Sequence, residues 1–153
     1  MPTHLNLRYK EIEDLWPYIE KYQSLATAYN IPDIFQDAGG KMLQLAIATG
    51  FDIAPGKTGA DATDRIGNIY EVKTTDLDKK TSGFSTNHHL TCDTIKRYRG
   101  RNWIFAYYKG INLNSAFLVE AKYLETYFRQ WTATLKIKSH INNPKIPLDI
   151  PHT

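Results

Sequence analysis

The sequence predicts an α/β chain of the α+β type, with helices flanking a central sheet. Three observations predict it. Apolar residues recur at helical spacing over residues 5–29 and 34–49, and again from Glu120 to Trp131. Residues 60–74 read as two short strands joined by a turn. Trp103 to Tyr108 is a nearly continuous apolar run, as a strand buried on both faces requires.

Composition sets the frame. At 153 residues the chain reads as one domain, 1–153, long enough for a core. An apolar share of 42% and a charged share of 23% are ordinary for a folded protein, so disordered and fibrous classes drop out. The net charge of +3 permits nucleic-acid binding without announcing it. Cys92 is the sole cysteine, which excludes an intrachain disulfide and points to a reducing compartment. Residues 1–5 do not read as a signal peptide, and no apolar run approaches membrane-spanning length.

In chain order, Leu15, Tyr18, Ile19, Tyr22, Leu25, Ala26 and Tyr29 form one helical stripe, with Asp14 as a candidate cap. Pro17 fits a first turn or a break between two helices. The aromatic stripe is core or a subunit contact, with core the default. Residues 30–33 connect to a second helix, Ile34 to Thr49, ended by Gly50. Asp37 reads as a helix cap, while Gly39 and Gly40 allow another backbone, such as DNA, to come close. Phe51 to Ala54 is a short strand and residues 55–59 a loop. Gly56 to Thr58 is rejected as a phosphate-binding loop, because the earlier glycine is absent and a strand follows.

The stretch from Gly59 to Thr75 carries the chemistry. Ala60 to Asp64 and Ile69 to Thr74 are the strands, and Arg65 to Asn68 the turn. Alternation sends Glu71 and Lys73 to one face and Tyr70 and Val72 to the other. The hairpin brings Asp61 opposite Glu71, so two carboxylates and one ammonium share a patch. Such oxygens suit a hard cation like Mg²⁺, which would acidify a water and polarise a phosphodiester. Lys73 could position or deprotonate that water and offset charge developing on phosphorus. The alternative is a hairpin with ordinary surface charges.

Asp76 to Ser82 is a charged loop. Ser85, Thr86, Asn87, His88 and His89 then form a cluster of short hydrogen-bonding side chains. Zinc lacks partners there beyond Cys92, and base-edge contacts fit the imidazoles better; solvated loop polarity is the alternative. A short helix runs from Thr91 to Gly100, capped by Thr91 or Asp93. Lys96, Arg97, Arg99 and Arg101 form a basic cluster for solvent or phosphates. A turn at residues 109–112 leads to a strand, Ala116 to Val119. The last helix turns Tyr123, Leu124, Tyr127, Phe128 and Trp131 inward. Asn142 and Asn143 could contact adenine or simply shape the turn before Pro144.

Together these stretches resemble the PD-(D/E)XK nucleases, and among them the PvuII-like type II restriction endonucleases. The resemblance rests on residues 15–17, 33–37 with 39–41, 59–73, 83–86 with His88 and His89, 96–99 around Tyr98, 103–106 and 141–147, in shared order and spacing over nearly the whole chain. It implies a restriction-endonuclease-like core with a central mixed β-sheet. It implies that Asp61 and Glu71 hold Mg²⁺, that Lys73 is the catalytic lysine, and that Tyr98 lies beside the active centre. His88 and His89 then read guanine, Asn142 and Asn143 belong to the recognition segment, and Ser85 joins them as a DNA-binding residue. Asp37 reaches DNA from the minor groove. These roles replace the cap reading of Asp37 and the loop reading of the histidines.

The sequence departs from the pattern at Ala60, where the motif has proline, at Asn87, where a third histidine is expected, and in a 74–82 loop one residue longer. The implied activity is Mg²⁺-dependent hydrolysis of duplex DNA at CAGCTG, cut bluntly to leave a 5′-phosphate and a 3′-hydroxyl. A homodimer built by the N-terminal helices, about residues 5–30, would cut one strand per subunit. The implied setting is a prokaryotic cytoplasm, with a cognate DNA methyltransferase protecting host DNA and no membrane partner. The rivals are a structure-selective nuclease of the junction-resolvase type and a DNA-binding module without catalysis.

Overall fold

The structure, a computed structural model, describes residues 8–54 and 61–149. The loop expected over residues 55–59, the start of the hairpin at Ala60 and residues 5–7 of the first expected helix lie outside them. Among the described residues there are four α-helices, a mixed sheet of five strands and a small two-stranded sheet, an α+β fold.

The sheet is assembled around β3 (Ile69–Asp76) and β5 (Asn102–Lys109). They run parallel, with Glu71 beside Trp103 and Lys73 beside Phe105. β5 is buried on both faces, which explains its unbroken apolar run. Trp103, Phe105 and Tyr107 pack with α3 (Cys92–Arg99) and α4 (Glu125–Leu135), while Ile104, Ala106 and Tyr108 pack with α2 (Gly39–Thr49). The antiparallel strands β1 (Asp52–Ile53) and β2 (Ala62–Thr63) extend the sheet from β3, and β6 (Asn112–Val119) closes it beyond β5. β4 (Phe84–Ser85) pairs with β7 (Lys145–Ile146), drawing residues 83–89 against 141–147. Gly83 permits this closeness, because a Cβ there would stand 2.3 Å from the Ile146 carbonyl oxygen.

The structure corrects several expectations. α1 (Tyr9–Thr27) is one helix that runs through Pro17 without a break. Pro17 removes the bond its N–H would give to Glu13, on a stretch exposed to solvent. Asp14 is no cap; it lies inside the helix and pairs with Lys10 at 2.9 Å. The aromatic stripe is not core within the protomer. Leu15, Tyr18 and Leu25 are 58%, 69% and 46% exposed, and Ala26 alone is buried. α1 holds the body mainly through its last turns. There Gln23 donates to the Ile31 carbonyl and accepts from the Ile34 N–H, and Tyr22 donates to the Gly40 carbonyl.

The second helix begins at Gly39 rather than Ile34. Asp37 and Ala38 have φ of 47° and 59°, which no helix admits, and the Asp33 carboxylate takes the Phe35 N–H in a local turn. Asp37 therefore caps nothing. Gly39 serves the chain itself: a Cβ there would meet the Asp33 carbonyl oxygen at 2.4 Å. β6 starts at Asn112, four residues early, because Gln44 of α2 accepts the Leu113 N–H and donates to the Ile111 carbonyl. The last helix is a 3₁₀ turn, Ala121–Leu124, followed by α4, and it leaves Tyr123 39% exposed instead of inward. Among the described residues no helix is long and apolar enough to cross a membrane.

Candidate active site

The β2–β3 turn fixes where the charged side chains fall. Asp64 accepts from the Ile66 and Asn68 N–H groups, the Asn68 side chain and the Tyr70 hydroxyl, and Gly67 takes φ of 88°. These bonds hold Asp64 below the usual carboxylate range against what desolvation does to it. A residue that stitches four groups leaves the turn little freedom, so the register follows.

Asp61 lies where that ladder ends. Its N–H donates to the Tyr70 carbonyl at 3.0 Å and its Oδ2 accepts from the Val72 N–H at 2.9 Å, so it brackets Glu71. Glu71 is 7% exposed. Its Oε1 lies 2.6 Å from Lys73 Nζ and its Oε2 lies 3.3 Å from Arg101 Nη1. Lys73 Nζ also stands over the rings of Tyr98, at 5.6 Å, and Trp103, at 5.9 Å. Burial disfavours the Lys73 charge, but Glu71, Tyr98 and Asp61 outweigh it, and its pKa is raised. Burial also raises the Tyr98 pKa, with Lys73 opposing. The Tyr98 hydroxyl donates to the Thr86 carbonyl at 3.3 Å.

The fold thus brings Asp61, Glu71, Lys73 and Tyr98 together. A second cluster gathers Ser85, His89, Asn142 and Asn143, although they come from segments far apart in sequence. Asn143 donates from its side chain to Ser85 Oγ and from its backbone to the Asn87 carbonyl. Asn87 Oδ1 in turn accepts the His89 N–H. Leu90 and Ile141 pair backbone to backbone between them. His88 is exposed at the same loop. Thr86 joins the clusters: its carbonyl meets Tyr98 and its Oγ1 donates to the Pro144 carbonyl at 2.6 Å. Asp37 stands apart, exposed in the connector between α1 and α2.

Over residues 7–152 the chain matches the family model described as restriction endonuclease PvuII. The chain belongs to the PvuII restriction endonuclease family. It is therefore a type II, site-specific deoxyribonuclease, and a module without catalysis is set aside.

For a PvuII-family endonuclease the donor set matters. Asp61 and Glu71 offer only carboxylate oxygens, and among the described residues no group of three or more His, Cys, Asp or Glu could enclose a metal. Two carboxylates with open positions fit a hard ion that retains waters, such as Mg²⁺, better than a closed zinc cage.

Two neighbours of these clusters escaped sequence reasoning. The sequence groups Arg101 with Lys96, Arg97 and Arg99 as a basic cluster for solvent or phosphates. That group disperses: Arg99 forks onto Glu125 at 3.0 and 2.9 Å, Lys96 sits 3.9 Å from Asp93, and Arg101 turns in to Glu71. Only the parallel register could have shown this: Glu71 lies beside Trp103, which sets Arg101 two positions before that partner, within reach of its long side chain. His140 stacks on His89, with ring centroids 4.1 Å apart. Its place is set by the Leu90–Ile141 bridge, a long-range pairing that local spacing does not reveal.

Proposed function

We propose that this chain cuts duplex DNA at the palindrome CAGCTG, with a blunt central cut that leaves a 5′-phosphate and a 3′-hydroxyl, using Mg²⁺ held by Asp61 and Glu71. The observation that carries the catalytic reading is the Lys73–Glu71 contact of 2.6 Å at a carboxylate that Asp61 brackets.

When bound, a divalent ion lends positive charge to the scissile phosphate and acidity to a water. The chain's own residues do the rest. Glu71 and Asp61 present their oxygens to the ion. Lys73 holds its proton at Nζ in the free protein and faces the charge that builds on phosphorus in an in-line attack. Tyr98 orients Lys73 by offering its ring and anchors the neighbouring chain through its hydroxyl.

In readout, His88 and His89 donate to guanine in the major groove, and Asn142 and Asn143 pair with adenine, with Ser85 beside them. Asp37 accepts from the guanine amino group in the minor groove, where that donor is the distinctive one. The exposed apolar face of α1, with Tyr9, Ile12, Leu15, Trp16, Tyr18 and Leu25, joins two copies about a two-fold axis. A palindromic target, one strand per copy, follows from that symmetry. The setting is a prokaryotic cytoplasm in which a companion methyltransferase shields the host's own sites.

The test is to incubate a plasmid with the protein and Mg²⁺ and sequence the ends. Blunt ends at the centre of CAGCTG support the reading. Ends at another sequence would overturn the readout, and cutting only of branched DNA would favour a junction-type nuclease.

A further inference from the structure

We propose that Arg101 is a positioning residue that holds the Glu71 carboxylate on its own guanidinium until a divalent ion displaces it, and so sets how much metal the DNA-free enzyme needs. The inference rests on Asp61 and Glu71 being the metal-holding pair.

Every carboxylate at the site has an occupied oxygen. Val72 N–H takes one oxygen of Asp61, Lys73 takes Glu71 Oε1, and Arg101 takes Glu71 Oε2. The last partner differs in kind. The side chains of Arg101 and Glu71 are each 9% exposed, so the pair is sheltered from water and salt. A guanidinium stays charged, so it has to move when a second cation takes that Glu71 oxygen. Asp61, Glu71, Lys73 and Arg101 sum to no net charge, so an incoming divalent ion meets little net attraction. Without Arg101 the same set carries a net negative charge.

Arg101 follows Gly100 in the short link between α3 and β5, and a long side chain can swing about its own bonds while β5 stays in register. An ion that takes the Glu71 oxygen has to displace Arg101 from it, which makes metal binding a competition.

The experiment measures Mn²⁺ binding to the full chain without DNA, by calorimetry or by the spin resonance of free Mn²⁺. Arg101→Gln is expected to bind the ion roughly tenfold more tightly than the unmodified protein. Arg101→Lys, which keeps a cation beside Glu71, should stay within about threefold. The gain should vanish when Glu71→Gln is combined with Arg101→Gln, and Glu71→Gln alone should lose most binding. An Arg101→Gln protein that binds Mn²⁺ no better, or whose gain persists without Glu71, overturns the inference while leaving the metal site in place. Mn²⁺ binding indifferent to both Glu71→Gln and Asp61→Asn overturns the metal site and the inference with it. A stabilising role alone would lower the unfolding midpoint without raising metal affinity. If Arg101→Gln fails to fold, the unmodified protein decides: the Arg101 Nε–Hε resonance should shift as Mg²⁺ is added, and a resonance unmoved at saturation overturns the inference.

Discussion

Lys73 carries more of the candidate chemistry than any other side chain, because its ammonium touches Glu71 and rests on two aromatic rings. Lys73→Ala should keep sequence-specific DNA binding and lose cleavage by at least roughly a hundredfold; gel shifts in Ca²⁺ against cleavage in Mg²⁺ check this, and loss of binding as well would remove the assigned role. Its raised pKa has a consequence for stability. The fold prefers the protonated amine, so that contribution is complete below the ordinary lysine value of 10.5 and fades as pH rises through the higher folded value. The gap in urea midpoint between the unmodified protein and Lys73→Gln should therefore narrow from about pH 8 to about pH 11. For readout, His89→Ala should reduce discrimination between the target and a site with one guanine replaced by roughly 1–3 kcal/mol. Competition cleavage measures it, and undiminished preference would clear His89 of that task.

Among the elements, α1 is the one whose energetics the protomer leaves open. With Ala26 its only buried residue, Leu15→Glu should split the proposed dimer while leaving the helical spectrum and unfolding of the protomer within about 0.5 kcal/mol. Light scattering decides it, and an unchanged mass would move the interface elsewhere. The sequence revealed elements where their own residues decided them. β5 announced itself by being apolar on both faces, α3 by the Thr91 cap that accepts the Thr94 N–H, and the end of α2 by Gly50 at φ of 74°. It misled where a backbone turn or a distant partner decided. The positive φ of Asp37 and Ala38 delays α2, Gln44 of α2 extends β6, and an amphipathic α1 looks the same whether its stripe meets a core or a second chain.

At the scale of the molecule, the parallel β3–β5 pairing decides what the hairpin alone could not. The carboxylates and the lysine were legible, since alternation along a strand needs no tertiary knowledge. The second cation at Glu71 was not, because it lies thirty residues further along, in the link that leads into β5, and only the β3–β5 pairing brings it near. The two polar clusters are likewise related through long-range contacts, the β4–β7 pairing and Thr86, which bonds both Tyr98 and Pro144. Gly83→Ala should push β4 from Ile146, destabilise the protein by roughly 1–3 kcal/mol and weaken site discrimination more than it weakens binding to random DNA. Urea unfolding and paired cleavage assays test both parts, and a variant with native stability would mean that the β4–β7 pairing yields easily.

The bare apolar side of α1 has a kinetic corollary. If copies meet there, mass action governs how many are paired, and in dilute solution the concentration of pairs climbs with the square of the amount synthesised. Scission of both strands would then lag behind accumulation of the polypeptide, granting a freshly transformed cell an interval before its chromosome is at risk.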